Sequence, residues 1–141
     1  MDFSDITDIA TSGLRAQRTR MTVTASNIAN AQTTRTEEGG PYRRRDPVFE
    51  AERVGSPFAG ALERKLRAVA VSRIQQDERE PVTRYLPHHP DAGGDGYVAF
   101  PNVNLIEEQA NLVSSSRSFQ ANLLVMQKVR GMAEALLRIG Q

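Results

Sequence analysis

The fold of this chain is decided by residues 104–139, NLIEEQANLVSSSRSFQANLLVMQKVRGMAEALLRI. Two rows of residues recur in this stretch every seven positions, and the second row follows the first by four. The first row is Leu105, Leu112, Phe119, Met126 and Ala133, and the second row is Gln109, Ser116, Leu123, Arg130 and Leu137. This spacing predicts one long helix that packs against other helices along one side.

The residues that flank this predicted helix mark its two ends. Asn104 can cap the start, and Glu107 follows three residues later in a capping-box arrangement. Arg138 lies in the last turn and Gly140 just beyond it, as is typical of a helix end. The helix would be roughly 50 Å long, which exceeds the need of a small compact domain. From Leu123 onward it is apolar on nearly every side, so we expect other subunits to bury it.

A second helix is predicted for residues 3–31. Thr7, Leu14, Met21 and Ile28 repeat every seven positions, and acidic residues precede basic ones, an order that suits the helix dipole. The apolar stripe is thin, because polar Thr, Ser and Asn are frequent in it. These residues are also poor helix formers. We therefore expect the terminal helices to be disordered in the free subunit and to fold on assembly.

The region between the helices predicts a small β-rich module. Strands are expected near residues 48–54, 68–75, 82–86 and 96–100, with a charged hairpin turn at 77–80. The stretch 59–67 is compatible with a loop or a helical turn. The predicted fold class is mainly α with a small β insertion, in which long N- and C-terminal helices pack as a coiled coil and flank that module. The expected segments are 1–33, 34–101 and 102–141.

Composition excludes several classes of function. Eighteen basic and 17 acidic residues leave a formal net charge of +1, a weak basis for binding nucleic acid. Disulfides and thiolate chemistry are excluded because the sequence contains no cysteine. No apolar run approaches the roughly 20 residues of a membrane span. The N-terminus is acidic and lacks the blocks of a secretory signal, so we expect any export to occur without a cleavable signal peptide.

The residues that could carry chemistry do not assemble a site. His88 and His89 are adjacent, and neighbouring side chains on an extended chain point to opposite sides, so a metal site is disfavoured. A glycosidase would need a carboxylate pair positioned in a cleft, whereas Glu107 is better explained as part of a helix cap. We predict no enzyme, no cofactor, no metal and no small-molecule substrate.

The basic run Arg43-Arg44-Arg45 has two interpretations. Acidic residues surround it on both sides, which favours a salt-bridged loop. A patch that binds phosphate or nucleic acid is the less favoured alternative.

Several stretches resemble those of the flagellar rod and hook proteins. Residues 24–31, TASNIANA, are similar to the N-terminal signature of that family, and residues 116–122, SRSFQAN, to its C-terminal signature. Residues 38–45, EGGPYRRR, and 96–104, GYVAFPNVN, resemble the proximal-rod members, as does the pattern of residues 85–92. The resemblance covers nearly the whole chain, and the motifs occur in the expected order.

This resemblance implies a structural subunit of the proximal rod in the bacterial flagellar basal body. The terminal helices would pack as a coiled coil into a tubular drive shaft, and the middle would face outward. The subunit would pass through the flagellar type III export apparatus to the periplasmic space. The implied partners are other copies of the chain, other rod proteins, the adaptor at the rod base and the membrane ring, with no nucleic acid.

The predicted assembly interface comprises residues of the helical stripes and of the two signatures. These residues are Leu14, Met21, Asn27, Ile28, Asn30, Leu105, Leu112, Phe119, Gln120, Asn122, Leu123, Met126 and Leu137. Two alternatives are another subunit of the rod and hook family and a secreted coiled-coil binding module of a type III export system. Heptads alone do not separate these classes, whereas the paired signatures favour the rod.

Overall fold

Two long helices enclose a small strand module in the computed structural model, which describes residues 3–54 and 66–139. The elements in chain order are α1 (Phe3–Ala29), β1 (Arg45–Arg53), β2 (Arg67–Gln76), β3 (Val82–Tyr85), β4 (Tyr97–Phe100) and α2 (Leu105–Ile139). The predicted fold class is confirmed. Most of the ambiguous stretch 59–67 lies outside the described residues.

The predicted cap of the C-terminal helix is confirmed at Asn104. Its side-chain Oδ1 accepts hydrogen bonds from the backbone N–H of Ile106 at 3.1 Å and of Glu107 at 3.4 Å. These bonds satisfy backbone donors that the first helical turn leaves without an intrahelical partner. α2 therefore begins one residue after the position where the sequence predicts its cap.

The helices α1 and α2 form an antiparallel pair. Near one end, the Thr11 hydroxyl lies 3.9 Å from the sulfur of Met126. Near the other end, the amide Nδ2 of Asn27 lies 3.0 Å from the carboxylate of Glu108. Residues further along α1 therefore contact residues nearer the start of α2. As a result, the first turns of α1 lie beside the last third of α2.

The face of α2 that meets α1 differs in part from the predicted stripe. Its centre is the row Glu108, Ser115, Asn122 and Val129, three of which are buried and one half-buried. The first predicted row lies beside it, half-buried from Leu112 onward, whereas most of the second predicted row is exposed. As a description of the contact within the chain, the second row is wrong by one position. The error arises because the true row is mostly polar, and an apolar repeat cannot detect it.

The strands β1 and β2 form an antiparallel ribbon that lies against α1. Pairing runs from Arg45 opposite Gln76 to Arg53 opposite Arg67, with one irregularity between Val48 and Phe49. The backbone N–H of Val69 donates a 3.1 Å hydrogen bond to the side-chain hydroxyl of Ser12 in α1. Since α1 contacts both the ribbon and α2, it is the middle layer of the molecule.

A second, shorter sheet precedes α2. The strands β3 and β4 pair antiparallel, and Val98 on β4 is fully buried. The four predicted strands are therefore confirmed, but the predicted hairpin at 77–80 is wrong, because this turn joins two separate sheets. Charge and turn propensity indicate a turn there without indicating which strands pair. Within the turn, hydrogen bonds from Arg79 lower the pKa of Asp77 to about 2.

The apolar core is small for the length of the chain. The accessible surface is 10179 Å², whereas a compact monomer of this mass would expose about 7,300 Å². The buried apolar side chains among the described residues are Ala10, Ala16, Val23, Tyr42, Val98 and Val129. Much of the remaining apolar surface therefore stays available for contacts with other molecules.

Two helical glycines provide a matched test of the helix packing. A Cβ on Gly13 would lie 2.8 Å from Nδ2 of Asn122, whereas a Cβ on Gly131 would meet no atom within 4 Å. Replacing Gly by Ala in a helix stabilises it by about 1 kcal/mol when nothing opposes the methyl group. We expect Gly131→Ala to raise the helical ellipticity of the purified chain, and Gly13→Ala not to raise it. An equal gain in both variants would contradict the close approach at Gly13.

Candidate functional site

A polar cluster, here called the base network, joins the end of α1 to the start of α2 and of β1. It consists of Asn27, Tyr42, Arg44, Asp46 and Glu108. At its centre, Glu108 is only 1% exposed, and its carboxylate accepts hydrogen bonds from Nε of Arg44 at 2.8 Å and from Nδ2 of Asn27 at 3.0 Å. A buried carboxylate without such partners would be strongly destabilising, so this cluster depends on being complete.

Asn27 uses its whole hydrogen-bonding capacity within the chain. Its Nδ2 donates to the Arg45 carbonyl oxygen at 2.8 Å and to Glu108. Its Oδ1 accepts from the Arg45 N–H at 2.9 Å and from the Tyr42 hydroxyl at 3.0 Å. An amide side chain offers two donors and two acceptor positions, and here all four are occupied. No other residue type could replace Asn27 and make this set of bonds.

Arg44 carries the positive charge of the network. Its side chain is 12% exposed and pairs with Glu108 and with Asp46. Burial alone would lower the pKa of Arg44, but hydrogen bonds and charges of Asp46 and Glu108 outweigh burial and raise it. The Arg44 carbonyl oxygen also accepts a 2.7 Å hydrogen bond from the Asp77 N–H, which links the network to the end of β2.

Asn30 closes the end of α1 just outside the network. Its Nδ2 donates to the Ser26 carbonyl oxygen at 2.9 Å, and its Oδ1 accepts from the Thr33 hydroxyl at 3.2 Å. The N–H of Tyr42 then donates to the Thr33 carbonyl oxygen at 3.0 Å. The TASNIANA signature thus has a role inside the chain, while its predicted role at a neighbouring subunit stays a prediction.

The structure does not gather the predicted interface residues into one surface. Asn27 is buried in the base network. The half-buried members are Leu14, Met21, Ile28, Asn30, Leu112, Phe119, Asn122 and Met126. The exposed members are Leu105, Gln120, Leu123 and Leu137. The exposed members are fully open to another molecule, and the half-buried members keep part of their surface for such a contact.

The sequence patterns missed the charged half of the base network. The sequence pattern assigns Arg44 only to a basic run, and it does not distinguish Glu108 from the neighbouring Glu107. In the structure Glu107 is exposed while Glu108 is buried, so the two carboxylates do not share a site. The available signal was the polar heptad row that begins at Glu108 and contains Ser115 and Asn122.

The opposite end of the helix pair exposes apolar surface. A groove of about 480 Å³ lies there between the first turns of α1 and the last third of α2. It is lined by Ser4, Thr7, Leu123, Met126, Gln127, Val129, Arg130 and Ala133. The last part of α2, residues 123–139 and here called the tail, forms one side of this groove. The tail also exposes Leu124, Met132, Leu136 and Leu137. Contiguous exposed apolar surface of this kind marks a site of interaction with other proteins.

The histidine-containing loop is tied to the connection that follows α1. Nδ1 of His89 accepts a hydrogen bond from the Asp91 N–H at 3.1 Å, and the Asp91 carboxylate binds the Thr34 hydroxyl at 2.7 Å and Arg35 at 2.8 Å. Within residues 3–54 and 66–139, no group of three potential metal ligands lies close enough to hold an ion. The helices in these ranges are not long and apolar enough to cross a membrane.

Comparison with known proteins places these features in a family. The family model for flagella basal body rod proteins matches residues 8–35, and the model for the C-terminal region of flagellar basal body rod FlgEFG proteins matches residues 95–139. The flagellar basal-body rod protein FlgC of Borreliella burgdorferi is 41% identical over 99% of this chain and 97% of its own. The proteins of the same name from Bacillus subtilis and Salmonella typhimurium are 37% and 36% identical, over 95% and 100% of both chains.

Adjacent glutamates allow a matched test of the base network. Replacing Glu108 by Ala leaves Arg44 buried with its charge less well paired, which should cost about 3–5 kcal/mol of unfolding free energy. The same change at exposed Glu107, which lies in the first turn of α2, should lower the unfolding free energy by at most about 1 kcal/mol. Denaturant unfolding of the purified variants measures both values. Similar costs for the two variants would mean that the Arg44–Glu108 pair does not stabilise the fold.

Proposed function

The chain belongs to the FlgC family of flagellar basal-body rod proteins, and from this we propose that the two ends of its helix pair have different roles in assembly. It is a structural subunit of the flagellar basal-body rod, on which motility depends. The base network would hold the subunit's own shape, and the tail with its groove would bind neighbouring subunits. The observation that carries the proposal is the concentration of exposed apolar side chains on the tail.

The layer order supports an arrangement of the subunit in the rod. The β1–β2 ribbon lies on α1, and α1 separates the ribbon from α2. On the side of α2 away from Glu108 and Ser115, Ile106 is 79% exposed, and Val113 and Leu124 are exposed as well. We propose that segments 1–33 and 102–141 form the tube wall and that segment 34–101 faces outward. In this arrangement neighbouring helices would cover the free face of α2.

Membership of the rod family supports interaction with other rod proteins. We propose in addition that copies of the chain contact one another, that the adaptor at the rod base and the membrane ring lie beside it, and that it leaves the cell body through the flagellar export apparatus. The proposed role is to transmit torque mechanically, without catalysis. In support, the relatives are named as rod proteins, and Glu108 is occupied in an ion pair.

A pair of equally exposed leucines tests the proposed interface. Leu123 on the tail and Leu86 beside β3 are both 41% exposed. Leu123→Asp should leave the thermal midpoint of the free subunit nearly unchanged, but it would place an unpaired carboxylate in an apolar contact between subunits. We expect loss of swimming with the protein still made and exported, whereas Leu86→Asp should swim. Normal swimming of the Leu123 variant would show that the tail faces water in the rod.

Amide hydrogen exchange tests the prediction that the terminal helices are disordered in the free subunit and fold on assembly. Because the base network ties the end of α1 to the start of α2, we restrict the expected disorder to the tail. The contact between α1 and α2 contains mainly small and polar residues. Oε1 of Gln17 in α1 is buried and has no hydrogen-bond partner among residues 3–54 and 66–139. Pairing within one chain therefore offers little to offset the roughly 1–2 kcal/mol lost for each backbone residue that becomes ordered. We expect protection in the free monomer to be strongest in 45–53 and 67–76 and weak in 123–139. Strong protection of 123–139 in a protein that light scattering shows to be monomeric would contradict folding on assembly.

A further inference from the structure

The Arg43-Arg44-Arg45 run divides into two parts with different surroundings. Arg44 lies in the base network, where it is paired with Glu108 and Asp46. Arg43 and Arg45 are exposed and line a cleft of about 360 Å³. The salt-bridged interpretation of the run is thus correct for Arg44 alone, and the other two arginines require a separate explanation.

The cleft carries opposite charges on its walls. Arg43 and Arg45 line one side, and Glu37 and Glu38 lie in the turn that lines the cleft with them. Within residues 3–54 and 66–139, no ion pair engages any of these four side chains. Four unpaired charges that share one concave surface are available to a partner from outside the subunit.

Both walls of the cleft are held in place before any partner arrives. The backbone of Arg45 is fixed by two hydrogen bonds to Asn27, at 2.8 and 2.9 Å, and its guanidinium carbon lies 5.7 Å from the centre of the Tyr42 ring. On the other wall, the Thr36 N–H donates to the Gly40 carbonyl oxygen at 2.9 Å. Gly39 and Gly40 have φ values of 88° and 74°, which residues other than glycine rarely adopt, so glycine at both positions allows the chain to make this turn.

We propose that this cleft binds a charged segment of an adjacent rod subunit, whose carboxylate pairs with Arg43 and Arg45 and whose cation pairs with Glu37 or Glu38. Phosphate or nucleic acid fits poorly, because a purely anionic ligand would meet the two glutamates as well as the arginines. Arginine is well suited to a carboxylate partner, since its planar donors can bind both oxygens. This contact would lie on the strand side of the subunit, apart from the tail, and it rests on the proposed role in the rod.

Charge reversal provides the first test. The variant Arg43→Glu/Arg45→Glu removes the cations but keeps the backbone bonds to Asn27, and Arg53→Glu, at the other end of β1, is the matched control. We expect the double variant to keep the thermal midpoint and ellipticity of the parent and to lose swimming, while the control swims. The neutral variant Arg43→Gln/Arg45→Gln should also swim less than the parent. Because it adds no negative charge, this result would show that the loss does not come from a folding defect caused by charge reversal. Normal swimming of both double variants would overturn the proposal.

Photo-crosslinking identifies the occupant of the cleft. A benzophenone amino acid at position 43 should capture another rod subunit in isolated basal bodies, identified by mass spectrometry, and the same probe at position 53 should not. Equal capture from both positions would overturn the proposal. Binding of inorganic phosphate or single-stranded DNA to the purified chain, abolished by the Arg43→Gln/Arg45→Gln change, would overturn it in favour of an anion site. Absence of the parent protein from basal bodies would instead refute the proposed function, so the two failures are distinguishable.

Discussion

The buried carboxylate of Glu108 is the constraint on which the rest of the structure depends. Desolvation of a carboxylate is unfavourable unless charged and polar partners compensate for it, and here Arg44 and Asn27 do so. These partners come from different parts of the chain, so the ends of α1 and α2 and the start of β1 must meet in one arrangement. The remaining contact between the helices consists largely of small and polar side chains, which specify the helix register weakly. The base network therefore determines how the helices align.

The two ends of the helix pair differ in how many of their side chains have partners within the subunit. At the base, Asn27 makes all its hydrogen bonds within the chain, and Glu108 and Arg44 are paired. At the tail, apolar side chains are exposed, for example Leu137 at 73%. A subunit of this kind keeps its own shape at one end and gains stability from neighbours at the other. This difference suits the proposed assembly, in which the subunit stays monomeric until it joins the rod.

The sequence indicated the elements of the fold better than their contacts. Heptad spacing, the Asn104 cap and the turn residues are local signals, and they located both helices and all four strands. The base network joins Arg44 to Glu108 across 64 positions, and a sequence pattern carries little information at that range. The second predicted row of α2 was displaced by one position for a related reason, since the row that contains Ser115 and Asn122 is mostly polar. The interface residues divide between half-buried and exposed positions because a heptad pattern does not separate contacts within a subunit from contacts between subunits.

The base network is proposed to align the helices and the tail to bind neighbouring subunits. Electron cryo-microscopy of isolated basal bodies, at a resolution that shows side chains, tests both roles directly. We expect each subunit in the rod to keep Asn27 and Arg44 bonded to Glu108, while neighbouring helices cover Leu124, Leu136 and Leu137 of the tail. A map in which Glu108 is separated from Arg44, or in which the tail leucines face solvent while the rod is intact, would contradict this expectation.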